Sequence, residues 1–209
     1  MNTTIRWTGW GMMSFLALLM ALLASRYLTL DPATYFPQQR AVYMAHTAGL
    51  LAHIVGGITA LLLGPLQFVP AVRNRWPRLH RTTGRIYLTG VALGGLGGLY
   101  MARLAYGGLP ARAGFALLAV AWLTASAMAY VRIRQGDPRR HREWMIRSYA
   151  LSFAAPVLRL EQVAFAASGV EFATAYVVVA WLAWLPNLLV AEAYVRWTRG
   201  RTAPRAAAT

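Results

Sequence analysis

Four histidines and one arginine sit on or beside the chain's long apolar stretches, and they are the residues with chemistry to offer. His46 and His53 are seven residues apart on one apolar stretch. On a helix that spacing brings both rings to one face, within about 20°. Each is followed three residues later by glycine, Gly49 and Gly56. A histidine beside a missing side chain could seat a flat ring against the helix. Equally, the glycines could form a packing groove while the imidazoles bond a neighbouring carbonyl. His80 and His141 occupy matching places, each directly before an arginine (Arg81, Arg142) and each just ahead of an apolar run. Such imidazole–guanidinium pairs could ligate a metal or haem iron, or hold an anionic headgroup or a propionate. Ordinary interfacial anchoring is the plainer alternative.

Arg159 lies inside an apolar run, 12 residues beyond Arg147. At 1.5 Å per residue that is about 18 Å into a bilayer. An uncompensated guanidinium there costs from about 2.5 to more than 10 kcal/mol, so it should face the protein interior and find a partner. His46 reaches a similar depth from the opposite side. Glu161 is turned about 200° away on the same helix and is expected to point to Arg103 instead. The chain has no His-Glu-x-x-His, no Gly-x-Ser-x-Gly and no close carboxylate pair, which argues against a hydrolase. It also has no cysteine, so thiolate ligands and nucleophiles are excluded.

The elements that must position these groups are long and apolar. Hydrophobic residues make up 58% of the chain and mean hydropathy is +0.43, beyond what a soluble domain shows. A helix needs about 20 apolar residues to cross the hydrocarbon core. Six stretches qualify, at about 7–28, 41–69, 85–106, 112–133, 144–168 and 172–197. The expected fold is therefore all-α: a polytopic bundle of six transmembrane helices forming one domain over 1–198, with a disordered tail over 199–209. The first run is read as an uncleaved helix, being long for a signal peptide and lacking a good cleavage site. Gly64-Pro65 should end or kink the second helix, and Pro156 and Pro186 should kink the fifth and sixth. Gly94, Gly95, Gly97 and Gly98 should let another backbone approach the third helix closely.

Arginine fixes the expected orientation. All 21 basic residues are Arg, giving a formal charge of +15. Sixteen flank one side of the spans, in the loops around 70–85 and 132–147 and at both termini, and only Arg26, Arg40, Arg103 and Arg112 flank the other. The positive-inside rule then places both termini in the cytoplasm. Trp7, Trp76, Trp144 and Trp197 fall near the same interface. In this setting the charge points to anionic lipid headgroups rather than nucleic acid.

Gly64-Pro65-Leu66-Gln67-Phe68, His80-Arg81-x-x-Gly84-Arg85-x-Tyr87, His141-Arg142-x-Trp144-Met145-Ile146-Arg147-Ser148-Tyr149-Ala150, His53 and Leu158-Arg159-Leu160 together resemble a bacterial family of predicted membrane proteins, domain-of-unknown-function family 2306. The resemblance covers roughly residues 45–165 and implies a multi-pass protein of the inner membrane. A looser similarity, to the diheme cytochrome b superfamily, implies haem b as a candidate cofactor, with His53, His80 and His141 as its candidate iron ligands. It differs in having no histidine in the fourth span, and in placing His80 and His141 at the membrane edge.

Two function classes follow. One is a haem- or quinol-linked redox protein whose site draws on His46, His53, His80, His141, Arg81, Arg142 and Arg159, with quinone as a candidate partner. The other is a small transporter or an accessory subunit of a homo- or hetero-oligomer, in which the same groups form a buried polar network.

Overall fold

The computed structural model describes residues 3–202, and among these there are only helices and turns. In chain order the helices are α1 (Thr3–Ser25), α2 (Arg40–Ala45), α3 (Thr47–Gln67), α4 (Pro70–Arg75), α5 (Pro77–Ala102), α6 (Gly108–Arg134), α7 (Pro138–Ser152), α8 (Ala154–Ala167), α9 (Phe172–Leu182) and α10 (Leu185–Thr202). Five segments are long and apolar enough to cross a membrane: Trp7–Thr29, Thr47–Gln67, Gly108–Arg134, Pro138–Ala167 and Phe172–Gly200. The expected third span, α5, falls outside that standard. Its glycines at 84, 90, 94, 95, 97 and 98, together with Arg85, dilute the apolar character of an otherwise 26-residue helix.

Prolines break helices here rather than kink them. The fifth expected span is α7 and α8, interrupted at Phe153, and the sixth is α9 and α10, interrupted at Ala183 and Trp184. Pro156 and Pro186 lack the N–H that would bond the carbonyl four residues back, and each break falls within that turn. The expected 41–69 span is also divided, at His46. By contrast α3 runs through Pro65 to Gln67. The Leu61 carbonyl that Pro65 leaves without its helical donor accepts from the Tyr149 hydroxyl at 3.4 Å.

Glycine sets the tightest contact in the bundle, between α3 and α5. A Cβ added at Gly56 would fall on the backbone of Gly90 and Gly94, so the two helices touch main chain to main chain, as the glycine run suggests. α6 packs between α5, α7 and α9. The main core joins Tyr87 and Val91 of α5, Trp122 of α6, Met145 and Tyr149 of α7 and Trp184. Outward faces stay apolar: Leu22 is 60% exposed, Val163 69% and Val190 70%, which suits lipid contact.

At the arginine-rich end, ion pairs tie α7 to α10. Arg147 meets Glu192 at 2.6 Å, Arg196 meets Glu192 at 2.9 Å, and Arg199 forks onto the buried Glu143. Of the tail expected over 199–209, residues 199–202 are helical in α10, and Arg199 is held by α7. Residues 203–209 lie outside the described part.

Candidate functional site

A cavity of about 240 Å³ lies between α1, α3, α5, α6, α8 and α9. Its wall is mostly apolar, and glycine and alanine make the room: Gly57, Gly94, Gly95, Gly98, Ala119 and Ala155 all line it. Aromatic rings roof it at the arginine-poor end. Tyr27 contacts Tyr35 and Tyr43, while Phe36 contacts Phe172 and Tyr176. The polar groups in this wall are few, and they include His53 and Arg159.

His53 packs against α5 yet is accessible, and it lines the cavity. Nδ1 lies 2.9 Å from the Gly94 carbonyl. A carbonyl only accepts, so Nδ1 carries the hydrogen, and in the neutral ring Nε2 is left as an acceptor. Among the described residues nothing bonds Nε2. Glycine is required for this seat: a Cβ at Gly98 would stand 2.8 Å from Nδ1, and one at Gly97 would stand 2.6 Å from the His53 backbone nitrogen. At Nδ1 the carbonyl-bonding alternative describes what is seen, while Nε2 keeps a site open.

Arg159 supplies the opposite character. Nη1 donates to Gln162 Oε1 at 2.7 Å, so its partner is neutral, and among the described residues no carboxylate pairs with it. Gln162 also lines the cavity, while its Nε2 is buried away from that space, with no partner among the described residues. Tyr43 and Tyr176 are close enough to feel the Arg159 charge. The cavity thus offers an acceptor at His53 and a donor at Arg159. Glu161 and Arg103 do not meet: Glu161 Oε2 is buried with no partner among the described residues, and Arg103 stacks 4.4 Å above the Tyr100 ring.

The remaining expected site residues lie elsewhere. His46 bonds the Tyr100 hydroxyl at 2.8 Å, on α5 like the Gly94 partner of His53, but His46 is outside the cavity wall. His80 and His141 are near each other at the arginine-rich end, with Arg73. His141 Nδ1 bonds the Ala129 carbonyl at 2.8 Å, and His80 Nδ1 is buried without a partner. His80, in the first turn of α5 ahead of Arg85, is held below the usual 6.5 by partial burial and by His141 and Arg73. Arg81 and Arg142 are exposed. Gly94, which His53 touches, is 14 residues along α5 from His80, about 21 Å. A joint site of His53 with His80 or His141 is therefore not formed.

The same placement decides the fit of haem. No second histidine faces the cavity across from His53, and no group of three or more His, Asp or Glu among the described residues could hold a metal ion. A cavity of about 150 Å³ accepts a benzene ring. One of about 240 Å³ has room for a single substituted ring and not for a tetrapyrrole.

One feature of the site was missed in the sequence. Beneath the cavity a buried hydroxyl cluster joins α5, α6 and α7. Tyr87 Oη lies 2.6 Å from Ser148 Oγ and 3.1 Å from Ser152 Oγ. Trp122 Nε1 donates to Ser152 at 2.8 Å, and Ser126 and Ser148 are 2.7 Å apart. Trp122 and Ser152 also line the cavity, so its floor is polar. The available signal was two polar pairs at i, i+4, Trp122/Ser126 and Ser148/Ser152, on otherwise apolar helices.

Compared with known proteins, the sequence matches over residues 50–195 a family described as predicted membrane protein, DUF2306. No curated protein and no solved structure matches it.

Proposed function

The chain belongs to the DUF2306 family of predicted membrane proteins, and we propose that it is a six-span protein of the bacterial inner membrane whose central cavity binds the head group of a membrane quinol. Both termini lie in the cytoplasm on this reading. The span added to the five is α5, third in chain order, whose 26 residues make a rod of about 39 Å, longer than the roughly 30 Å hydrocarbon core. It packs between α3 and α6, two segments that are themselves apolar enough to cross. Sixteen arginines on one side against four on the other support the orientation.

The observation that carries the ligand is the presence of His53 and Arg159 together in one mostly apolar wall. A quinol is a single ring with a hydroxyl at each end. One hydroxyl donates to His53 Nε2, and the other oxygen accepts from Arg159. The apolar wall takes the ring face, and the size of the cavity suits one ring. A haem-linked function is not part of this reading.

Calorimetry of the purified chain with a short-chain benzoquinol tests it. Wild type should bind, and His53→Ala and Arg159→Leu should each bind about tenfold more weakly or worse. Absence of binding in wild type, or equal binding in all three, refutes the ligand. The second reading, an accessory or transport role, is favoured by the fact that His53 Nδ1 and Arg159 Nη1 both already bond within the protein. It predicts that the same substitutions lower stability without any ligand effect.

A further inference from the structure

We infer that α5 carries a seat for one anionic phospholipid on its outer face, with the headgroup on Arg81 and Arg85 and an acyl chain laid along the helix beyond them. The inference rests on the reading of α5 as a membrane span. One side of α5 is committed to the bundle, where Thr83, Tyr87, Gly90, Val91 and Gly94 are buried. The other side is open. At 100° per residue, Arg81, Arg85, Thr89, Ala92 and Leu96 fall within a sector of about 80°, and all five are exposed. Leu96 is 62% exposed, and Ile86 and Leu93 are exposed beside it. From Arg85 to Leu96 the helix rises about 16 Å, one leaflet's share of a roughly 30 Å hydrocarbon core. Helical side chains lean towards the N-terminus, so both guanidiniums reach back towards the headgroups while their stems stay on the apolar stripe. The outer face of α5 thus repeats the order of a lipid, charge first and then apolar length to the midplane.

The protein supplies no anion to these arginines. The chain has six Asp and Glu side chains. Those at the arginine-rich end, Asp137, Glu143 and Glu192, each pair with arginines of α7 or α10. Among the described residues no carboxylate pairs with Arg81 or Arg85, and Arg81 Nε spends its hydrogen on the Pro77 carbonyl at 3.2 Å. Four residues apart, the two arginines are neighbours on successive turns and can fork onto one phosphate. Trp76, 53% exposed just ahead of α5, marks the same level, since indole prefers the headgroup region. A general attraction of basic loops to an anionic leaflet would be spread over every exposed arginine. A seat concentrates it at two, and that difference can be measured.

The chain has no cysteine, so Leu96→Cys gives a single place for a bimane fluorophore at the midplane end of the stripe. The full labelled chain is reconstituted in vesicles of phosphatidylcholine and phosphatidylglycerol, with bromine on the acyl chains of one lipid at a time, and bimane quenching reports which lipid lies against α5. Phosphatidylglycerol should be preferred about fivefold or more over phosphatidylcholine. Adding Arg81→Gln/Arg85→Gln should bring that preference to within about twofold of parity, with quenching by brominated phosphatidylcholine retained as the sign of a folded, inserted helix. Arg134→Gln/Arg142→Gln removes the same charge from exposed positions elsewhere at the arginine-rich end and should leave the preference within about twofold of the starting value. Strong quenching with no preference, or equal losses in the two double variants, overturns the lipid seat and leaves α5 a span. Absence of quenching by either lipid takes α5 out of the membrane, and both the span and the seat fail.

Discussion

Adding one methyl group at Gly56 should separate α3 from α5 and pull the His53 seat apart. The new Cβ would stand 2.5 Å from Gly94 Cα, with Gly94 N and Gly90 O nearer still. Ordinary contact begins at 3.4 Å, so the helices must part by at least 0.9 Å, the difference of those two distances. The obstacle is backbone on the far helix, which has no rotamer to change. Moved by the same amount, the 2.9 Å contact from His53 Nδ1 to the Gly94 carbonyl leaves hydrogen-bonding range. Overpacking of this kind costs about 1–3 kcal/mol. A lost interhelical hydrogen bond in a membrane adds roughly 0.6. Gly57 provides a control one residue away, because a Cβ there meets nothing within 4 Å. Reversible unfolding in mixed detergent micelles should show Gly56→Ala destabilised by about 2 kcal/mol or more, with Gly57→Ala within about 0.5. If Gly56→Ala is as stable as wild type, the glycine contact does not set the α3–α5 distance, and the account of the His53 seat fails with it.

Gly57→Leu should leave stability near wild type but fill the cavity, so loss of benzoquinol binding in a folded variant, checked by calorimetry and circular dichroism, is expected. Tyr87→Phe removes two hydroxyl contacts while Ser148 keeps Ser126 and Ser152 keeps Trp122, so unfolding should show a cost of about 1–2 kcal/mol. His80 is held low, so the folded state resists protonation that the unfolded chain accepts. Stability should therefore be full above the usual 6.5, fall as pH drops below it towards the depressed value, and lose part of that slope in His80→Gln. Cysteines placed in the 31–40 segment should react with an impermeant label in intact cells, and cysteines at 132–142 should not; the reverse pattern would exclude cytoplasmic termini.

Much of the frame is legible because bilayer physics imposes length and apolarity on each span. The glycines of α5 show why legibility has limits. The residues that let α3 approach also lower the apolarity by which a span is recognised, so one feature sharpens the packing argument and blunts the count. The His53–Arg159 cavity was harder to see. Depth arithmetic from opposite faces puts both His46 and His53 within a few ångströms of the level of Arg159, so depth cannot choose between them. The choice rests on which way each ring turns and on helix breaks at His46 and Phe153, and neither follows from counting residues. Glu161 fails as a partner of Arg103 for a related reason, since a nearby ring at Tyr100 takes the guanidinium.

The residues that carry the family resemblance mostly hold the frame. Gly64 lies against the Tyr149 ring, whose hydroxyl answers the carbonyl freed by Pro65. Gln67 donates to Thr83 at 2.9 Å, and Tyr87 bonds Ser148. These are contacts between α3, α5 and α7 towards the arginine-rich end, and substitution there should appear first as lost stability. His53 and Arg159 differ in kind. Each presents a polar group to a space whose wall is mostly apolar, and each has capacity beyond its bond within the protein. A wall built only to close the bundle would have no use for an acceptor and a donor facing a cavity one ring in size. Their substitution, alongside the filling of that space at Gly57, separates a site from a scaffold, because only a site can lose its ligand while the helices stay packed.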